Sequence, residues 1–211
     1  MARQAPADPS VDGRMARRRG HTAGVTADVD PALRTALADK LDALDAELRR
    51  LGPLVVAFSG GADSAFLAAV ARRVLGSSAV HAVTAVSPSL AGDEEADCRA
   101  LAGELGLRWT PVVTDEMERA AYRLNDTDRC FHCKAELMDV VAPIAAAEGA
   151  TVVLGVNVDD LGDHRPGQRA AAEAGARFPL VDAGFTKADV RAASLQLGLR
   201  TWDKPAAACL A

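Results

Sequence analysis

The hexapeptide Ser59-Gly60-Gly61-Ala62-Asp63-Ser64 is the first candidate for chemistry. Adjacent glycines let a backbone turn tightly and come close to a ligand. Successive N–H groups at the start of a helix then form a cradle for anionic oxygens, and the hydroxyls of Ser59 and Ser64 add donors. Asp63 would repel a bare phosphate, so its place in such a cradle points to a bridging Mg²⁺. The spacing is neither the Gly-x-x-x-x-Gly-Lys-Ser/Thr loop nor the Gly-x-Gly-x-x-Gly dinucleotide turn. An ordinary Gly-rich strand-to-helix turn is the competing reading.

Cysteines form the second group. Cys130-Phe131-His132-Cys133 is a Cys-x-x-Cys, and Cys209 stands near the chain end. The pair alone reads equally as half a zinc site or as buried apolar thiols. With Cys209 it offers three ligands for a [4Fe–4S] cluster with one iron left open. His132 reads as a solvated loop histidine, and Cys98, inside a helical stretch, as a small buried apolar residue. His21 and His81 have no constellation around them. Asp159 and Asp160 follow a strand end and suit a second Mg²⁺ contact or equally a solvated loop, while Arg165 presents a planar fork for phosphate or carboxylate or is a surface charge. Arg129 and Lys134 flank the Cys-x-x-Cys, and Lys204 lies five residues before Cys209. Each of the three suits an anionic substrate or a thiol of lowered pKa, and each also reads as a surface charge.

These residues need elements to hold them. Leu33, Leu37, Leu41, Leu44, Leu48 and Leu51 recur at helical spacing until Gly52-Pro53 stops the pattern. A buried strand is predicted at 54–58, further strands at 80–86, 108–113 and 151–156, and a fifth at 178–181. Helices are predicted at 65–75, 94–105, 116–124, 133–148 and 168–174. A last helix opens at Thr186-Lys187-Ala188-Asp189, a capping-box-like start, and ends at Gly198. Strands alternate with helices and most are continuously apolar, so the fold class is α/β: a doubly wound, mostly parallel sheet with helices on both faces.

Composition narrows the class. The 211 residues are 49% hydrophobic and 25% charged, enough for a full core in one domain. No stretch reaches the roughly 20 apolar residues of a membrane span. The net charge of −5 and 4% aromatic content argue against a nucleic-acid surface. Four cysteines without a secretory signal point to thiols or metal ligands in a cytoplasmic protein. Residues 1–30 hold five Arg and four Asp without an apolar pattern and read as a disordered leader; residues 31–211 form the domain and carry about −6 of the charge.

The hexapeptide resembles the PP-loop of the ATP pyrophosphatase superfamily, whose members cleave ATP between the α- and β-phosphates and adenylate an oxygen. Three further segments make the likeness specific: Arg129 to Lys134, Gly155 to Gly167, and Trp202 to Ala211. Together the four resemble the LarE family of ATP-dependent sulfur transferases, from about residue 33 to the last. The resemblance implies adenylation of a carboxylate of pyridinium-3,5-biscarboxylic acid mononucleotide and its conversion to a thiocarboxylate, for a nickel-pincer cofactor. It implies ATP at Ser59, Gly60, Gly61, Asp63, Ser64 and Arg165, adenine against the backbone near Ala85, and Mg²⁺ at Asp63 and Asp159. Cys209 is the implied sulfur-handling residue, with Asp63 and Lys204 beside it in the chemistry; some members sacrifice this cysteine's own sulfur. Others carry the extra pair, here Cys130 and Cys133, and resemble enzymes whose cluster supplies a renewable sulfide. Family members continue past the segment ending here at Ala211, with a region that assembles homo-oligomers and grips the substrate phosphate. The expectation for this chain is an intact ATP site, a weakened substrate site and smaller assemblies. A PP-loop tRNA thiolase and a non-catalytic ATP-binding module are the alternative functions; the acidic domain counts against the first.

Overall fold

The computed structural model describes residues 31–86, 92–114, 129–162 and 166–205. Four parallel strands lie in the order β3-β2-β1-β4: β1 (Leu54–Ala57), β2 (Val80–Val86), β3 (Arg108–Val113) and β4 (Thr151–Leu154). β1 is central, pairing Leu54 with Val80 on one side and with Thr151 on the other. Its side chains alternate between two cores. Leu54 and Val56 join one apolar cluster, and Val55 joins the other. A strand buried on both faces has no polar face to show, which is why its sequence is a continuous apolar run.

Helices cover both faces as the doubly wound reading requires. On one face lie α1 (Pro31–Leu51), α2 (Ala62–Leu75) and α3 (Gly92–Glu104), with residues of the terminal α7 (Lys187–Gln196) in the same cluster. Leu37, Leu44 and Leu48 of α1 face this core; Leu44 and Leu48 are fully buried, and each gains about 1.5–3 kcal/mol from burial. The other face is covered by α4 (Arg129–Glu148) and α5 (Pro166–Glu173). Phe66 of α2 and Phe185, ahead of α7, pack at a ring-centroid distance of 5.3 Å. Among the described residues no helix is long and apolar enough to cross a membrane.

The fifth strand is not there. Phe178 to Val181 leads instead into the short helix α6 (Pro179–Asp182), and a single parallel bridge joins Arg177 to Val153. Pro179 has no N–H to give a ladder, and its fixed φ suits a first helical position. His81 also departs from the expectation that nothing surrounds it. Its ring nitrogens reach Glu148 at 3.0 Å and Thr110 at 2.8 Å, and Arg108 pairs with the same Glu148. Burial, aided by the Arg108 charge, pushes its pKa below the ordinary histidine value. This group lies where β2 and β3 begin, so it braces the sheet at the end away from the hexapeptide. The helix expected at 116–124 falls outside the described residues.

At α7 the capping box is as the residue pattern implies. The Thr186 hydroxyl accepts the Asp189 N–H, and the Asp189 side chain accepts the Thr186 N–H. Thr186→Ala should cost about 1 kcal/mol, the usual worth of such a cap. Chemical denaturation would show this as a lower midpoint at unchanged slope.

Candidate functional site

Hexapeptide and sheet topology meet at one place. The chain winds outward from β1 through β2 to β3, then returns to β4 on the other side of β1. The loops after β1 and β4 therefore diverge over a crevice at the carboxyl ends of the strands, where open α/β sheets bind ligands. The hexapeptide fills the β1 side of that crevice and leads straight into α2.

Local chemistry holds the loop open. Phe58 continues the line of β1, with its N–H bonded to the Val83 carbonyl at 2.8 Å. The Thr84 hydroxyl donates to the Phe58 carbonyl at 2.7 Å, and Trp109 Nε1 donates to the same hydroxyl at 2.8 Å. Gly60 then takes φ +68°, a conformation few other residues adopt, and a Cβ there would stand 2.8 Å from Cys98 Sγ. Gly61 caps α2 without any side-chain bond, so no capping side chain occupies the opening N–H groups of the helix. The Ser64 hydroxyl donates to the Gly61 carbonyl at 3.1 Å and lies 3.1 Å from the Ser59 hydroxyl.

From β4 comes the facing wall. Gly155 passes so close to α2 that a Cβ would sit 2.7 Å from the Ser64 nitrogen and 2.8 Å from the Asp63 carbonyl carbon. Asn157, almost wholly buried, reaches Asp63 Oδ1 with Nδ2 at 3.3 Å. Its Oδ1 accepts the Asp159 N–H at 3.0 Å, and its own N–H donates to Asp160 Oδ2 at 3.1 Å. Asp159 Oδ2 accepts the backbone N–H of Lys187 at 2.8 Å. The Lys187 ammonium stands 2.5 Å from Asp63 Oδ2. Asp63 and Asp159 are thus joined through Lys187 and Asn157.

Lys204 is the third arm. Its Nζ donates to the Gly60 carbonyl at 3.0 Å and to Asp97 Oδ2 at 2.7 Å. Arg200 grips Asp97 at 2.6 Å and Glu104 at 2.8 Å. The bond from Lys204, with that from Arg200, holds the Asp97 carboxyl below the ordinary range. Cys98, the next residue, is buried as expected; burial pushes its thiol up in pKa, against the nearby Lys204 charge.

Of the residues expected to carry chemistry, Ser59, Gly60, Gly61, Asp63, Ser64, Asp159 and Lys204 converge here. Ala85 lies half-buried at the end of β2, in register with Val112. Arg165 and Cys209 lie outside the described residues, as do the side chains of Cys130 and Cys133, whose backbone opens α4. Three residues of the site are not singled out by sequence: Gly155, Asn157 and Lys187. Gly155 and Asn157 lie in the segment after β4, and Lys187 in the capping box. Position after a β4 strand end was a usable signal for the first two. Nothing local links Lys187 to Asp63.

The arrangement can seat a run of anionic oxygens against the α2 N-terminus, with a cation on Asp63. A carboxylate that already attracts an ammonium fits Mg²⁺, which uses one or two carboxylates and substrate phosphates. Among the described residues no three His, Cys, Asp or Glu side chains converge on a metal position.

The chain resembles known proteins in sequence and fold. The family profile for asparagine synthase matches residues 33–155. The chain is 46% identical over 175 residues to an uncharacterized Synechocystis protein, covering 82% of this chain and 65% of that one. It is 39% identical over 171 residues to the pyridinium-3,5-bisthiocarboxylic acid mononucleotide synthase of Lactiplantibacillus plantarum, covering 81% and 62%. The chain thus spans slightly under two thirds of the length of these relatives. Among solved structures, the NMN synthetase of Francisella tularensis superposes with a TM-score of 0.64 at 18% identity, over 84% of this chain and 76% of that one. The NH3-dependent NAD synthetase of Campylobacter jejuni gives 0.61 at 18%, over 79% and 74%. At such identity these two speak for the fold alone. The profile match, the hexapeptide at the switch point and the mononucleotide synthase likeness agree: the chain belongs to the asparagine synthase family of the PP-loop superfamily and is LarE-like in sequence.

Proposed function

We propose that the protein is an adenylating sulfur transferase that cleaves ATP between the α- and β-phosphates. The observation that carries this reading is the hexapeptide cradle at the sheet's switch point, with the Asp63 carboxylate at its mouth. The likeness to a pyridinium bisthiocarboxylate synthase supports a pyridinium mononucleotide carboxylate as the acceptor.

In this reading the β- and γ-phosphates lie on the N–H groups opening α2, with the Ser59 and Ser64 hydroxyls beside them. Mg²⁺ held by Asp63, with Asp159 near by, would neutralise charge developing on the pyrophosphate. A substrate carboxylate oxygen attacks the α-phosphorus, the bond to the β-phosphate oxygen breaks, and pyrophosphate leaves. The Cys209 thiolate then attacks the acyl-adenylate carbon and AMP departs with the former carboxylate oxygen, leaving a thioester. Loss of the Cys209 α-proton with cleavage of its Cβ–Sγ bond releases the thiocarboxylate and leaves dehydroalanine. Preorganised N–H donors stabilise charge without reorganising during the step. Lys204 fixes the Gly60 carbonyl and so keeps the loop's N–H groups turned to the crevice. Sulfur handling is assigned to Cys209, with Cys130 and Cys133 as its partners.

The test is product identity. Protein with Mg²⁺, ATP and pyridinium-3,5-biscarboxylic acid mononucleotide should give AMP and pyrophosphate in equal amounts. ADP and phosphate as the only products would overturn the proposal.

A further inference from the structure

Both oxygens of Asp63 are taken. Lys187 Nζ lies 2.5 Å from one, and Asn157 Nδ2 lies 3.3 Å from the other. The Lys187 and Asp63 side chains are only 28% and 18% exposed, so water screens the pair weakly. Lys187 is also held at its root. It follows the Thr186 cap and donates its own N–H to Asp159 Oδ2 at 2.8 Å. One residue therefore places an ammonium on one acid and an amide on the other.

The ammonium occupies Oδ2, one of the two Asp63 oxygens on which a divalent cation would rest. Two cations on one carboxylate repel each other, so the Lys187 ammonium opposes metal entry while it stays in place. A metal arriving alone leaves the displaced ammonium half-buried without an anion, which is costly. A metal arriving on a triphosphate brings oxygens that the ammonium can turn to. The cost of displacement thus differs between the two routes, and that difference is a coupling free energy.

We propose that Lys187 is a resident counter-ion that closes Asp63 to divalent metal until nucleotide arrives, so that metal and ATP enter as a coupled pair. This rests on the ATP reading above. Lys187 is then a positioning residue whose effect appears in the nucleotide-free protein, before any chemistry.

Mn²⁺ serves as the probe, its free signal followed by electron paramagnetic resonance on the full chain. Without nucleotide, the parent protein should bind Mn²⁺ weakly. Lys187→Gln should bind it about tenfold more tightly, because one cation no longer competes for the carboxylate. Lys187→Arg should behave like the parent, and adding Asp63→Asn to Lys187→Gln should remove the gain. Lys187→Met replaces the Gln variant if circular dichroism shows that variant unfolded. Unchanged Mn²⁺ affinity in a folded Lys187→Gln or Lys187→Met protein would overturn the proposal. So would tight, Asp63-dependent binding by the nucleotide-free parent. A parallel titration with α,β-methylene-ATP separates the two levels. If the analogue binds and the variants do not shift Mn²⁺ affinity, only the counter-ion role fails. If no nucleotide binds at all, the ATP reading itself fails.

Discussion

Asp63→Ala should reduce AMP formation by about two to three orders of magnitude, the worth of several kcal/mol of charge stabilisation at a phosphoryl centre. The carboxylate sits at the second position of α2, opposite Asn157 and Lys187. Its loss removes the anionic oxygen on which the cation must rest. It also strands the Lys187 ammonium beside the crevice, where it can still attract phosphates. The variant should therefore bind ATP within a few-fold of the parent and yet fail to cleave it. Equilibrium binding beside single-turnover product analysis checks this split. A variant that cleaves ATP at the parent rate would remove Asp63 from the chemistry.

Gly155→Ala should be the most damaging single-methyl addition in the crevice. The new Cβ would meet the Ser64 nitrogen at 2.7 Å, the Asp63 carbonyl carbon at 2.8 Å and the Ser64 Cα at 2.9 Å. All three are backbone atoms, so no side chain can swing aside. Either β4 or the first turn of α2 must shift. Overpacking of this kind costs about 1–3 kcal/mol. The functional loss should be larger, since displacing a preorganised site by about 1 Å can cost 10²-fold in rate. Thermal unfolding and ATP affinity should both fall. Gly149→Ala is a useful contrast, because a Cβ there would meet nothing within 4 Å, though its φ of +60° adds a little backbone strain. Equal ATP affinity in the Gly155→Ala and parent proteins would show that α2 does not depend on this close approach.

Much of this framework could be read from the chain. Strand β2 lies where its apolar run placed it, because a strand buried on both faces leaves a continuous signature; β3 has the expected bounds but is a half-exposed edge strand. The hexapeptide was legible because strand, turn and helix start are all local. The error at Phe178 to Val181 has the same origin: a four-residue apolar run does not tell a strand from a buried helix turn. Pro179 was the residue that could have decided it. Asp63's partners were harder. Asn157 is 94 positions away and Lys187 is 124 away, and no periodicity links residues joined only by the sheet's return crossing. Lys187 was visible only as the neighbour of a helix cap.

The long reach of these contacts has a consequence for synthesis. The Gly60 carbonyl waits for an ammonium 144 positions later, and Asp63 for one 124 positions later. A ribosome adding about 5–20 residues per second takes roughly 7–30 s to cover that gap. Until residues 151–157 are made, within that gap, β1 lacks its β4 neighbour and the crevice lacks a wall. The nascent chain thus makes its hexapeptide early but cannot brace it until Asn157, Lys187 and Lys204 have followed.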